Sequence, residues 1–383
     1  AGATAEAGTT GAAGTAGGAA GTTTTGEGGV TGTGGSAGAG GQTSTAGQGG
    51  GGGASAGAAG ADAGVDAAAG AAGGPSRPRG PSAGCNLPPA ANDSSTAFIK
   101  HDVTVTGVPS TFVAAHPPDP AGGAYTWTKR NYYLRLPTNY DPSKPYLLSL
   151  GGTGCSGNDT VGSTGGYYLG QVVTAARPET LEVSLSYVVY TNTPKPNCFA
   201  DDYVDSPEPA YIDAVVADLE ARYCVDRSRV FIHGHSSGAW EALTMGCARA
   251  DTFRGAATQV GGGLRMHRPP CQKSPVATIY VEGMMDTDNP IGPLAPTDPV
   301  AKSLDSLGSA PARDDLLTRN GCVGNQTATW DAAFPACVKY TGCPADGAVV
   351  WCAIPTSHSI GSFPTLRDQY AYNAIWKFWT TLP

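Results

Sequence analysis

Residues 1–84 contain no aromatic residue, leucine, isoleucine or methionine, and Val30 and Val65 are their only larger aliphatics. A stretch so poor in apolar surface cannot offset the entropy lost on ordering its backbone. It holds 30 of the chain's 56 glycines, mixed with Ala, Thr and Ser. It shows no fixed period and no Gly-X-Y spacing with proline, which excludes a collagen helix. The expectation is a disordered, flexible tether over 1–84 and one large folded domain over 85–383. No run of about 18 apolar residues occurs anywhere, so no transmembrane segment is expected. Basic residues are outnumbered, 23 Lys and Arg against 31 Asp and Glu, for a net charge of −8. With no basic stripe, nucleic acid is excluded as a partner. No charged and apolar leader follows Ala1, so any targeting signal is expected to have been removed or never present.

Tight cysteine pairs are also missing. The ten cysteines (85, 155, 198, 224, 247, 271, 322, 337, 343 and 352) include no C-x2-C, and the shortest gap, Cys337 to Cys343, has five residues between. That spacing argues against zinc. An even number at long intervals argues for disulfides and an oxidising compartment, hence a secreted or cell-surface protein.

What is present beyond residue 98 is alternation of two periods. Short apolar runs at Phe98–Val105, Asn131–Leu136, Tyr146–Leu150, Leu181–Tyr190, Arg229–His233, Val276–Val281 and Val349–Ala353 read as strands. Ala210–Tyr223 reads as a helix, with Tyr211, Val215, Leu219 and Tyr223 every four residues. Ser237–Ala248, Asp314–Asn320 and Leu366–Trp379 read as helical too. Strands alternating with helices predict an α/β fold: a mostly parallel twisted sheet with helices on both faces, and no second folded domain.

The chemistry-bearing motif is Gly234-His235-Ser236-Ser237-Gly238, a G-x-S-x-G that follows a β-branched run and opens a helix. That context is required of a nucleophile elbow, where a serine sits on a sharp strand-to-helix turn. Positions two before and two after the serine must be small because strand and helix pass close together there. A serine nucleophile needs a base, and the base needs a carboxylate, in the chain order Ser, acid, His. Only His267 and His358 follow Ser236. His267 sits beside Arg265, Arg268 and two prolines and reads as a surface loop residue. The loop after Val276–Val281 offers Asp286 first, Asp288 second and Glu282 third. His358 follows the Val349–Ala353 strand. Taken singly, each of these residues reads as an N-cap, a solvated turn or a surface histidine. Their order and placement after strands favour a triad of Ser236, Asp286 and His358.

An oxyanion hole is expected from the backbone N–H of Ser237 and an N–H at Gly152 or Thr153, in the loop Gly151-Gly152-Thr153-Gly154. That loop lacks the lysine of a phosphate-binding loop. His233 and His235 form a weak metal pair with no evident third ligand. No metal and no cofactor are expected. N-x-[ST] occurs at Asn92, Asn158 and Asn325 and matters only in a eukaryotic secretory host.

At these residues the chain resembles the secreted feruloyl-esterase and polyhydroxybutyrate-depolymerase-like hydrolases of the α/β-hydrolase superfamily, and type-C feruloyl esterases more closely. The resemblance runs over roughly 125–383. It is carried by Arg130–Pro137 with Asn139–Pro142, by Tyr223-Cys224-Val225-Asp226 leading into Arg229-Val230 and the elbow, and by Asn320-Gly321-Cys322, Tyr340–Cys343 and Val349-Val350-Trp351. It implies Ser236 as nucleophile, Asp286 as acid and His358 as base, with ester hydrolysis through an acyl-enzyme. The implied partner is an ester, polysaccharide-linked or polymeric, and the protein is expected to be a monomer tethered through its N-terminal linker. A polyester depolymerase, an acetylxylan esterase, a serine peptidase of the same fold and an inactive binding protein on this scaffold are the rival readings. Two departures bear on acyl specificity: Gly151–Gly154 stands where the family often has a His-Gly pattern, and Ser357 where it usually has glycine. Beside this resemblance, Cys322–Cys343 is the expected bridge, with Cys155–Cys198 and Cys337–Cys352 as additional ones. Cys85, Cys224, Cys247 and Cys271 are left to share two more.

Overall fold

The structure, a computed structural model, describes residues 78–155 and 173–383. Residues 1–77 of the disorder expected over 1–84, and Asn158, lie outside the described residues. Ten strands form one sheet in the order β1-β2-β4-β3-β5-β6-β7-β10-β9-β8. Six of them, β4 (Thr180–Leu185), β3 (Tyr146–Gly152), β5 (Val225–His235), β6 (Gly255–Gln259), β7 (Ala277–Gly283) and β10 (Val349–Ile354), run parallel. β1 (Ile99–Thr104) and β2 (Lys129–Arg135) close one side antiparallel, and β9 (Cys337–Tyr340) and β8 (Thr327–Thr329) the other.

Every residue of β3, β4, β6 and β7 is buried, as parallel strands covered on both faces must be. Alternate residues feed two different layers. Leu148, Leu150, Val230 and Ile232 pack with Tyr211, Ile212, Val215 and Leu219 of helix α1 (Glu208–Arg222). Leu147, Phe231, Ile279 and Val281 pack with Ile375, Phe378 and Trp379 at the C-terminus, where Phe231 and Trp379 stack at 4.6 Å. α1 carries proline in its first turn, Glu208 at its start and Arg222 at its end, a charge order that suits the helix dipole. Helix α2 (Ser237–Ala248) follows β5, and α3 (Ser309–Arg319) lies beyond β7. This is the α/β-hydrolase arrangement.

Several boundaries differ from the sequence expectation. The folded region starts before residue 85. Ser82 is buried, its N–H donates to Val225 O at 2.9 Å and its Oγ to Tyr223 O at 2.6 Å. Gly84 lies so close to Tyr223 that a β-carbon there would be 2.3 Å from its nitrogen. Residues 80–84 belong to the domain because they pair with the start of β5, although they lack large apolar side chains. Strand β4 ends at Leu185, not Tyr190. Beyond it, side chains take over from the ladder: the Ser186 N–H donates to Tyr211 Oη at 3.0 Å, and Arg130 donates to the Ser186 carbonyl at 2.5 Å. The closing helix is three pieces, an α-helical turn at Pro364–Leu366, a π-helical Arg367–Ala374 and α4 (Ile375–Thr380). Strand β6, Gly-Ala-Ala-Thr-Gln, has no β-branched apolar residue to announce it.

Five disulfides join Cys85–Cys224, Cys155–Cys198, Cys247–Cys271, Cys322–Cys343 and Cys337–Cys352. The three expected pairs are present, and the four left-over cysteines form Cys85–Cys224 and Cys247–Cys271. None is free.

Candidate active site

Ser236 stands between β5 and α2 with φ 54° and ψ −123°. A non-glycine residue held there costs about 1–3 kcal/mol and persists only where its surroundings over-determine it. They do so here. The Ser236 N–H donates to Gln259 O of β6 at 3.1 Å, and its carbonyl accepts from Ala239 N at 2.8 Å. A β-carbon at Gly234 would sit 2.2 Å from Gly238 O, and one at Gly238 would sit 2.1 Å from the carbonyl of Gly152. Small residues are required at both positions for this reason. The same contact presses the end of β3 against the start of α2.

Three side chains from three loops meet at this turn. Ser236 Oγ lies 2.7 Å from His358 Nε2. His358 Nδ1 lies 2.9 Å from Asp286 Oδ2. Asp286 comes from the loop after β7 and His358 from the loop after β10, neighbouring parallel strands whose C-terminal ends open on the same edge. The carboxylate of Asp286 is fully buried while the His358 side chain is 20% exposed. Asp286 Oδ1 accepts from the N–H groups of Asp288 and Asn289, both at 2.8 Å, which holds the other oxygen toward the imidazole.

None of the other candidates takes the place of Asp286 or His358 in this line. Asp288 is exposed. Glu282 is buried on β7, receives bonds from Thr258 Oγ1 and Asn289 Nδ2 at 2.9 and 2.8 Å, and burial raises its carboxyl well above the usual range. His267 is 66% exposed and pairs with Asp305 at 2.7 Å. Among the described residues, Asp286, Asp288 and His358 are the group close enough to hold a metal ion. Asp286 and His358 already bond each other, so we assign no metal to them. His233 and His235 form no metal pair: the His233 ring packs edge-on against Trp379, and His235 turns toward the His358 loop. Burial lowers the His233 imidazole to about 4.

The sites expected to supply oxyanion donors surround Ser236. Ser237 is the first residue of α2, a position whose N–H has no acceptor within its own helix. Gly152 lies against Gly238, and a β-carbon at Gly154 would fall 3.5 Å from Ser236 Oγ. Thr153, between them, is buried. One support was not legible beforehand. The Phe199 N–H donates to Ser237 Oγ at 3.1 Å, and Cys198, its neighbour, is bridged to Cys155 just past the glycine loop. The cysteine pair was the only signal in the sequence that linked these two segments.

Behind the helix lies a charged layer. Arg265 makes a two-pronged bond to Asp201, with Nε at 3.0 Å and Nη2 at 2.7 Å, and its guanidinium sits over the Trp240 ring at 4.8 Å. Arg130 pairs with Glu208 at 2.8 Å, both fully buried.

No known family's sequence profile matches the chain. Individual relatives do. A protein of Aspergillus terreus named "Probable feruloyl esterase C" is 26% identical over 272 residues, 69% of this chain and 88% of that protein. Feruloyl esterase C of Emericella nidulans is 27% identical over 197 residues, half of this chain and 63% of that protein. Among solved structures, a ferulic acid esterase of Anaeromyces mucronatus in complex with ferulic acid superposes with a TM-score of 0.39 at 15% identity. It covers 72% of this chain and 88% of the other. The chain thus resembles carboxylic ester hydrolases of the type-C feruloyl esterase kind.

Proposed function

We propose that the protein is a serine carboxylic-ester hydrolase acting on plant cell-wall esters of the feruloyl kind. The observation that carries this reading is the unbroken line Ser236 Oγ, His358 Nε2, His358 Nδ1, Asp286 Oδ2, with links of 2.7 and 2.9 Å. The curated relatives support the substrate class.

In this reading, His358 takes the hydroxyl proton as Ser236 Oγ attacks the ester carbonyl. The carbonyl oxygen becomes an oxyanion, held by the N–H of Ser237 and an N–H at Gly152 or Thr153. The tetrahedral species collapses, His358 gives its proton to the leaving alcohol, and the acyl group remains on Ser236. Water, deprotonated by His358, then releases the acid by the same route. Asp286 keeps the imidazole in the Nδ1–H tautomer and stabilises its charged form. The dipole of α2 adds to the field at the oxyanion.

The five disulfides support an oxidising compartment. Among the described residues, no helix is long and apolar enough to cross a membrane. We read the segment before residue 80 as a spacer between the domain and a surface, and the protein as a monomer working on a polymer-linked ester.

The test compares the wild type with Ser236→Ala on p-nitrophenyl acetate, methyl ferulate, a hydroxybutyrate oligomer and acetylated xylan. Ferulate release by the wild type alone is expected. Turnover only of the oligomer or only of acetylated xylan would replace the substrate class. Absence of turnover on all four, with no fluorophosphonate labelling of Ser236, would leave a binding protein.

A further inference from the structure

His235 ends β5, one residue before the proposed nucleophile, and the mechanism above gives it no role. Its ring lies between the two loops that serve Ser236. On one side, its Nε2 is 3.3 Å from the backbone carbonyl oxygen of His358, and the two imidazoles are 5.6 Å apart. A carbonyl oxygen only accepts, so this nitrogen carries the proton and Nδ1 does not. On the other side, Nδ1 faces Gly154. A β-carbon there would lie 3.5 Å from it and 3.2 Å from Ser236 Cβ. The imidazole therefore occupies the gap between the glycine loop and the base loop.

The contact goes to the backbone of His358, not to its ring. Asp286 sets the rotation of the His358 ring through Nδ1. The His235 bond sets where the backbone of that residue hangs relative to β5. The other backbone bonds of the base loop run elsewhere: Met285 N–H donates to Thr356 O at 3.0 Å and Met284 N–H to Ile354 O at 2.9 Å, and Ile360 N–H donates to His358 O at 3.0 Å. The bonds from Met284 and Met285 hold the loop to the acid loop, and the one from Ile360 is internal. Among the described residues, the His235 bond is the hydrogen bond that ties the base residue's own backbone to the strand that presents Ser236.

We infer that His235 is a positioning residue for ester hydrolysis, a neutral Nε2–H donor that hangs the backbone of His358 from the nucleophile's own strand. The inference rests on the reading of Ser236 and His358 as nucleophile and base. Withdrawal from water, followed by the nearby His358, holds the His235 imidazole down to about 4. At neutral pH it donates without adding a charge opposed to the imidazolium that forms on His358.

Three substitutions in the full chain test this. His235→Gln places an amide nitrogen near the original Nε2, His235→Asn places one nearer Nδ1, and His235→Leu has no donor. Fluorophosphonate labelling of Ser236 and kcat on p-nitrophenyl acetate are expected to fall roughly tenfold or more in His235→Leu and His235→Asn, as for a misplaced base. KM should stay near the wild-type value, and His235→Gln should recover to within about threefold of the wild type. Wild-type labelling rates in the folded Leu variant, or equal rates in the Gln and Asn variants, would overturn the role. If the Leu variant does not fold, the Gln–Asn difference decides. Labelling of the wild type but not of Ser236→Ala upholds the underlying nucleophile whatever these variants do, and an unlabelled wild type defeats both.

Discussion

Gly152 and Gly238 are in backbone contact: a β-carbon at Gly238 would lie 2.1 Å from both the carbonyl carbon and the oxygen of Gly152. This contact brings the end of β3 to the start of α2, where the proposed oxyanion donors converge. Gly238→Ala must push the two main chains apart. Its turnover of p-nitrophenyl acetate per folded molecule should drop roughly 100-fold, the scale expected of an ångström-sized misplacement. Gly107→Ala is the control, since nothing lies within 4 Å of its added carbon. It should keep full activity and lose only a little stability through its positive φ.

Asp286 and Asp288 are two residues apart and differ in what they touch. Asp286→Asn should lower kcat roughly 10³–10⁴-fold by favouring the wrong imidazole tautomer. Asp288 is exposed and bonds Asp286 through its backbone N–H; its carboxylate stands within 4.8 Å of the Asp286–His358 pair, but it is Asp286 that bonds the imidazole. Asp288→Asn should leave kcat nearly unchanged. Equal losses in steady-state assays of the two variants would defeat this assignment of the acid.

The Cys155–Cys198 bridge ties the glycine loop to the segment whose Phe199 N–H holds Ser237 Oγ. Replacing both cysteines by serine should cost roughly 2–5 kcal/mol of stability and also slow fluorophosphonate labelling at temperatures where the domain stays folded. The Cys322–Cys343 pair joins the end of α3 to the end of β9. Its removal should lower the denaturation midpoint and leave the labelling rate alone.

His233 carries a pH signature of its own. Its folded value of about 4 lies below the ordinary 6.5 because burial disfavours the charged ring. The unfolded chain therefore binds more protons between pH 6.5 and 4, and stability falls as pH drops through that window. The full shift corresponds to about 3 kcal/mol. Urea denaturation from pH 7 to 4 should show a decline that His233→Gln reduces, with a remainder from His235, which is held down to about 4 in the same window. The same slope in both proteins would rule His233 out as its source.

The strand-turn-helix around Ser236 was readable because its causes are local. A β-branched run, two glycines at fixed spacing and a helical run sit within some twenty residues, and the near contact of Gly234 with Gly238 demands that spacing. The layer of α1 was readable from period, since α1 repeats its buried residues every four positions, whereas the π-helical stretch in the closing helix was not. Strand β6 was not, because small residues suffice between two covering layers and leave no apolar pattern. Residues 80–84 were misplaced into the tail for a related reason: their anchorage is backbone pairing to β5 and the Ser82 hydroxyl, which composition does not register.

By itself the sequence determined the α/β alternation, the elbow and the order serine, acid, histidine, because each depends on residues near one another in the chain. Only the tertiary structure decided which carboxylate of the Glu282–Asp288 loop meets His358, and that Phe199 and His235 stand beside the site. Those choices depend on strand order and loop direction, which bring together residues separated by 38 to 123 positions.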